Sequence, residues 1–452
     1  MSSQSYDLKK SSLIKEFNEK KKEGIIALDK KTSNLFRTRE NIKKARLNVK
    51  NFNEVIAIDK EKSVAEVEGM TTFETLVNET LKYNLLPCVV PQLKMITIGG
   101  AISGIGIEAS SYRYGLVHET VLEMEVLLGD GRIVKCTPEN EFKDLFFGIP
   151  NSYGTLGYIL KAKIKLVKAN KFVEIIHKRY DNSENYFKDI ETFCEKKEYD
   201  FIDGVFFNEK EMYISLGKFV ENAPYISDYK YMKIYYKSIK KNKKDYLTTI
   251  DYIWRWDPDW FWTSKFFFMQ NFIPRLFFGK FMLNSKAYIK LKKYNEKYKL
   301  TKKISSINSI IGIKNTEKEP IIQDVGIPIE NCAKFLDFFN HEIKIKPVWM
   351  CPTKIYNKNN NFPLFDLDPK ILYIDFGFWD SVKTEKEKGY YNKMIEKIVE
   401  KLKGKKSLYS DSFYEKNDFW IIYNGKIYHK LKKKYDPGRV FLDLYEKTVL
   451  RK

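Results

Sequence analysis

Apolar residues in the first third of the chain fall at strand spacing, broken once by a helical pattern. Residues 24–29 (GIIALD) read as a buried strand. Val55–Asp59 and Val64–Glu68 are short apolar runs parted by Lys60-Glu61-Lys62, which predicts a β-hairpin. Phe73, Leu76, Val77 and Leu81 then recur with helical period. Thr71 and Glu74 ahead of them predict a capping box, the threonine hydroxyl accepting from the Glu74 amide. Residues 121–128 and 132–136 flank Gly129-Asp130-Gly131, a second hairpin signal because Asp-Gly supplies the positive φ that tight hairpins need. A strand follows at 159–166. Much later, 321–329 (IIQDVGIPI) and 372–379 (LYIDFGFW) predict strands of a second sheet, with a helix at 332–339 between them. Residues 1–23 are polar and lysine-rich and predict a loosely held helix or tail. The class is α+β.

Length and charge narrow the picture. A chain of 452 residues exceeds one typical core, so two domains are expected. A hydrophobic content of 43% and an aromatic content of 15% suffice for a large interior. The formal charge of +21 favours an anionic partner, a membrane surface or nucleic acid. Nucleic acid is set aside, because the charge is scattered lysine with no arginine-rich arm or zinc-finger spacing. Five dispersed cysteines without CxxC spacing fit a reducing compartment and neither a disulfide framework nor a zinc site. No stretch has signal-peptide or membrane-spanning character, which predicts a cytoplasmic protein, soluble or peripheral to a membrane.

Lysines crowd 230–244, and 252–283 holds Trp254, Trp256, Trp260, Trp262 and a run of phenylalanines. Rings beside cations suit a membrane interface; they equally suit the wall of an apolar cavity or a packed core.

The densest chemical signal is 91–115, PQLKMITIGGAISGIGIEASSYRYG, whose glycines allow main chain to approach a ligand closely. Gly104 to Ala109 matches G-x-G-x-x-A, but no apolar helical stripe follows, so a dinucleotide fold of the Rossmann type is rejected. Gly154 and Gly157 in 146–158 (FFGIPNSYGTLGY) form another close-approach turn, and the basic Thr/Ser/Asn turn at 30–37 offers donors to a phosphate.

In order, the basic turn, hairpin, helix, TIGGAISGIGIEASSYRYGLVHETV, the GDG hairpin and DLFFGIPNSYGTLGYI resemble the FAD-binding domain of the vanillyl-alcohol-oxidase, or PCMH-type, flavoproteins. Within that superfamily the likeness is greatest to the delta(24)-sterol reductase branch and its bacterial relatives, which include reductases of methylene-branched fatty acyl chains. SLYSDSFYEKNDFW and IYHKLKKKYDPGRVFLDLYEK extend it to the far end of the chain. The resemblance implies a two-domain α+β fold: an FAD domain at 24–167, a cap that selects substrate at 168–403, and a segment at 404–452 that returns to the flavin. It implies that Lys31, Thr32, Ser33 and Asn34 lie near the pyrophosphate. Thr97, Gly99, Gly100, Gly104, Gly106, Ile107 and Ser110 would contact the pyrophosphate and ribityl chain, and Gly154, Thr155, Gly157 and Ile159 the adenosine half. Many relatives tether flavin through histidine in the first binding turn. The four histidines here, His118, His177, His341 and His429, lie outside it, so non-covalent FAD is expected.

The activity implied is reduction of an isolated C=C bond of a lipid, with NADPH as reductant. Such a bond accepts hydride only if a proton reaches its other carbon, so a general acid is required. Tyr409, Asp411 and Tyr414 on the returning segment are the first candidates, with Glu108 and His118 behind them. Trp254, Trp256 and Trp262 are candidates to line the substrate site and steady developing positive charge. The alternative is an FAD-dependent oxidase or dehydrogenase of a polyol, which would need a polar pocket instead.

Overall fold

The computed structural model describes residues 3–30, 36–40, 42–298 and 317–452, and its strands form three sheets among those residues. In the smallest, β1 (Ile26–Asp29) and β2 (Ala45–Asn48) pair in parallel. The second holds β3 (Val55–Asp59), β4 (Val64–Glu68), β5 (Leu85–Pro87), β6 (Val121–Leu127), β7 (Ile133–Cys136) and β8 (Tyr158–Lys168). Its order is β3-β4-β8-β6-β7, with β5 also on β8. The third contains β9 (Phe172–Tyr180), β10 (Phe201–Asn208), β11 (Glu211–Val220), β12 (Lys244–Thr248), β13 (Lys318–Pro328), β14 (Val348–Thr353), β15 (Tyr373–Lys383) and β16 (Lys405–Lys406). It is ordered β12-β9-β11-β10-β14-β15-β13-β16. This is the two-domain α+β arrangement, and both hairpins expected from the sequence are present.

The third sheet is covered on both faces, and strand alternation sorts its side chains between them. Ile374, Phe376 and Phe378 of β15 pack with Phe335 and Ile395 of the covering helices Cys332–Phe338 and Tyr390–Lys401. Trp349 of β14 and Trp379 of β15 point the other way, into the aromatic core shared with the second sheet. Asp375 and Gly377 alternate with Phe376 and Phe378, so they share the face of Trp379. That face turns acidic and aromatic residues of the cap toward the glycine-rich segment.

Two expectations are corrected. The N-terminal segment is no loose tail: Ser3–Lys20 is a helix whose Tyr6, Leu13 and Phe17 are buried against β2 and Phe441. Lys9 anchors it through Glu68 at 2.8 Å. The capping box is absent: Thr72 caps the helix Phe73–Thr80 by accepting from the Thr75 amide, whereas Thr71 donates its hydroxyl to the Glu54 carbonyl at 2.9 Å. Glu74 instead pairs with Lys286 at 2.7 Å. Within the glycine stretch, Ile98–Ser103 is a short helix capped by Thr97.

The final segment folds back onto the second sheet. Lys432, on helix Gly425–Tyr435, donates to the carbonyls of Thr155 (2.7 Å) and Phe441 (2.9 Å) and pairs with Asp436. Phe36 bridges Ser410 in parallel, so the start and the end of the chain meet.

Candidate functional site

A cavity of about 1210 Å³ lies where these pieces converge. Pockets for a single small ligand run to about 1,000 Å³, so this one has room for a cofactor and a substrate together. Its walls come from β1, the glycine stretch, the Gly154–Gly157 turn, the third sheet and the returning segment.

One wall is main chain. Thr97, Gly99, Gly100, Gly104, Gly106 and Ile107 line it, with Gly154, Gly157 and Ile159 beside them. The glycines are needed for a reason the sequence did not reveal. A Cβ on Gly99 would come within 2.9 Å of the Gly69 carbonyl oxygen, so the missing side chain lets main chain pack on main chain behind the cavity. Gly154 sits at φ +76°, the left-handed region that favours glycine. Ser110 and Thr155 do not reach the cavity. Their hydroxyls donate instead to the Cys88 and Ser152 carbonyls, at 2.7 and 2.8 Å. Lys31, Thr32, Ser33 and Asn34 lie outside the described residues.

A second wall is cationic: Lys30, Arg37, Lys44, Arg46 and Lys447 line the same cavity. Burial pushes Lys30 down to about 8, aided by repulsion from Arg39 and Arg37. Burial likewise pushes Arg37 down to about 10, and holds Lys447 well below the usual lysine range with Arg37 and Lys30 adding to it. Cations crowded this closely are matched when an anion joins them.

Gln92 supplies the sharpest mark of a ligand. It is 3% exposed, lines the cavity, and neither its amide nitrogen nor its oxygen has a partner. Buried polar groups are rarely left unmatched, so a ligand edge offering a donor and an acceptor fits there. Glycine-lined main chain, a cationic wall for a diphosphate and an unmet amide together suit FAD. None of the four histidines lines the cavity.

The third wall is aromatic and acidic. Trp260, Phe261, Trp349 and Trp379 line it, with Phe261 and Trp379 rings 4.2 Å apart. Trp254, Trp256 and Trp262 do not. They are buried in the core behind, Trp256 and Trp262 edge to face at 5.9 Å, so the substrate role passes to their neighbours. Trp260, Phe261 and Trp262 all take positive φ, a turn that aromatic composition does not foretell, and the first two face the cavity while Trp262 faces the core.

Of the acid candidates, only Tyr409 lines the cavity. Its hydroxyl accepts from Trp379 Nε1 at 3.0 Å and lies beside Asp324, favouring the ionised form of that carboxyl. Asp411 is occupied at the chain junction, accepting from the Thr38 amide and hydroxyl at 2.9 and 2.8 Å. Tyr414 is buried among Phe419 and Tyr423. Glu108 pairs with Arg255 at 2.9 Å, away from the cavity. His118 stands edge-on to Phe362 at 4.4 Å, and burial pushes it down to about 3, so it stays neutral.

Sequence reasoning missed Asp324, which lines the cavity, and Asp375 beside it. Asp324 faces Gly377 across β13 and β15, and Asp375 faces Gly326, so the two carboxyls are diagonal neighbours on one face. A Cβ on Gly377 would meet Asp324 Oδ1 at 2.9 Å, so this glycine makes room for the carboxyl. Burial raises both groups, and Asp324 raises Asp375 further. Asp324 Oδ1 and Asp375 Oδ2 have no partner. Two such carboxyls cannot both ionise, so the pair retains a proton near neutral pH. The signal was available: Asp-Val-Gly and Asp-Phe-Gly each put a carboxylate among the apolar residues of a strand.

Comparison with known proteins agrees with this reading. The FAD binding domain family matches residues 12–137. The chain is 27% identical to human delta(24)-sterol reductase over 414 residues, covering 88% of this chain and 76% of that protein. It is 24% identical over 441 residues to the delta(24)-sterol reductase of Arabidopsis thaliana, covering 88% and 75%. A shorter likeness, 30% over 179 residues and 38% of this chain, is to cytokinin dehydrogenase 3 of Oryza sativa subsp. japonica.

Proposed function

We propose that this chain, an FAD-binding oxidoreductase of the PCMH type, reduces an isolated C=C bond in a lipid, foremost the branched side-chain alkene of a sterol, with NADPH as electron donor. The similarity to sterol reductases along 88% of the chain supports the substrate class. The carrying observation is one cavity that joins a cationic wall, an aromatic wall and the Asp324 carboxyl, one oxygen of which has no partner.

FAD, when bound, supplies the hydride that one alkene carbon accepts. The glycine-lined segment and the Gly154–Gly157 turn would hold it, with Arg37, Lys30 and Lys447 on its diphosphate and Gln92 on a polar edge. The chain's own residues do the rest. Asp324 delivers a proton to the other alkene carbon, so that hydride plus proton give the saturated bond. A carboxyl raised toward neutrality is a far stronger acid than the Tyr409 phenol, whose proton burial holds even more tightly. Tyr409 therefore positions Asp324, fixed in turn by Trp379. Asp324 in turn opposes ionisation of Asp375, which keeps its own proton beside the donor.

Protonation of a branched alkene develops positive charge at its tertiary carbon, and the faces of Phe261, Trp349 and Trp379 stabilise such charge by up to about 2 kcal/mol once water is excluded. Their apolar surface also favours a hydrocarbon over a polyol. Anaerobic mixing with NADPH, then with a sterol bearing a side-chain alkene, tests this by mass spectrometry. A gain of two hydrogens supports it; an unchanged sterol with a bleached flavin redirects the search to methylene-branched acyl chains.

A further inference from the structure

The helix Phe272–Met282 is built inside out. Phe272, Ile273, Leu276, Phe277, Phe278 and Phe281 are exposed, Phe277 at 68% and Phe281 at 78%, while its most polar residue, Arg275, is buried. Arg275 forks onto Asp259 at 2.7 and 3.1 Å, donates to the carbonyls of Met269 (3.1 Å) and Lys233 (3.2 Å), and reaches the Tyr231 carbonyl as well. Gly279, one turn on, is the other buried position, where a Cβ would meet the Tyr231 ring at 2.8 Å. A buried, fully bonded guanidinium thus holds the helix firmly with its apolar side outward. Phe266, Phe267 and Phe268, in the turn just before it, are exposed too. A contiguous apolar patch of this kind marks an interaction surface.

Charge selects the partner. From Phe266 to Lys290 the chain has no Asp or Glu, and with Arg275 buried on Asp259 and Lys286 paired with Glu74, the exposed Lys280 and Lys290 carry the outward charge. The same patch on a second copy would set lysines against lysines in a chain of net charge +21. An anionic bilayer offers hydrocarbon for the rings and phosphates for the lysines. We propose that this segment docks the protein on an anionic phospholipid surface, the phenylalanines inserted at the head-group boundary. Trp260, Phe261 and Thr263 before the patch, and Tyr288 and Ile289 after it, line the cavity, so the docked face adjoins the cavity's aromatic wall. Delivery of the lipid substrate from that bilayer rests on the proposed activity; docking itself does not.

Co-sedimentation of the full-length holoprotein with phosphatidylcholine vesicles, with and without phosphatidylglycerol, tests the proposal. The wild type is expected to bind the mixed vesicles, and less at raised salt. Phe277→Ser with Phe281→Ser should weaken that binding by at least about tenfold, since two large apolar side chains no longer insert. Its flavin content and circular dichroism should be unchanged, as neither residue lines the cavity. Lys280→Glu with Lys290→Glu should cut binding to the anionic vesicles and remove its salt dependence. Equal binding by the phenylalanine variant, no binding by the wild type, or a wild-type dimer that this variant dissolves would each overturn docking. Vesicle binding without alkene reduction would sink the activity and leave docking standing.

Discussion

Two carboxyl groups meet in the core at Glu108 and Asp203, and two more at Asp324 and Asp375, in opposite electrical settings. In the first cluster Arg255, fully buried, donates to Glu108 Oε1 at 2.9 Å and Asp203 Oδ2 at 2.8 Å, and Trp349 Nε1 adds a bond to Asp203 at 3.1 Å. Burial still raises Glu108 to about 7, with Arg255 pulling against it. That cluster ties the glycine stretch to β10 across the domain junction. In the second, neither carboxyl is paired with a cation among the described residues; an unmatched oxygen does not separate the two, since Glu108 Oε2 lacks a partner as do Asp324 Oδ1 and Asp375 Oδ2. Burial alone therefore does not mark a reacting acid. A matched buried charge is a fastening, and an unmatched one at a cavity wall is a group with a proton to give.

The contrast can be broken in several ways. Asp324→Asn should lower alkene reduction by about 10²–10⁴-fold, the range for loss of a general acid, with flavin content unchanged. A loss below tenfold would end the assignment. Arg255→Met strands two buried carboxylates and should destabilise the fold by about 3–5 kcal/mol in urea. Asp375→Asn replaces a carboxyl that already keeps its proton and should leave stability within about 1 kcal/mol, or raise it. Equal losses in these two variants would erase the distinction between the clusters.

The pH dependence follows from the same carboxyl. Asp324 is raised from 3.8 to about 7, so its acidic form prevails below that pH, and reduction should fall about tenfold per unit above it. Stability carries the same sign. Between about 4 and 7 the native state holds a proton that the unfolded chain has released, so this contribution shrinks as pH rises through 7. Asp324→Asn should flatten both trends. Tyr409→Phe removes the hydroxyl beside the carboxyl and should cost about tenfold in rate. Smallest of all, Gln92→Ala should weaken flavin binding about fivefold, read by fluorescence titration, through loss of two hydrogen bonds.

How much was legible in the sequence depended on whether the signal was local. Hairpins and the helix at Phe73–Thr80 are written in spacing and turn residues, and they appear where expected. The glycine turns also surround the cavity, though Gly99 answers to the Gly69 carbonyl behind it as much as to anything in front. Tertiary choices were not local. With Thr71 and Thr72 adjacent, either could cap, and the Glu54 carbonyl claimed the first. The N-terminal helix hides its three core residues among lysines. Tryptophans at 254, 256 and 262 have the same composition as Trp260, but of these four only Trp260 reaches the wall. Asp324 and Asp375 are separated by 51 positions, and nothing short of the β13–β15 register places them together.

The most direct measurement is anaerobic reoxidation of the reduced holoprotein. Flavin bleached photochemically, without NADPH, is mixed with a sterol carrying a side-chain alkene, and the oxidised flavin band is followed alongside the lipid's mass. The account expects the band to return with stoichiometric saturated sterol, and to return far more slowly in Asp324→Asn. A band that stays bleached with every alkene, while a polyol rapidly bleaches the oxidised protein, would contradict it.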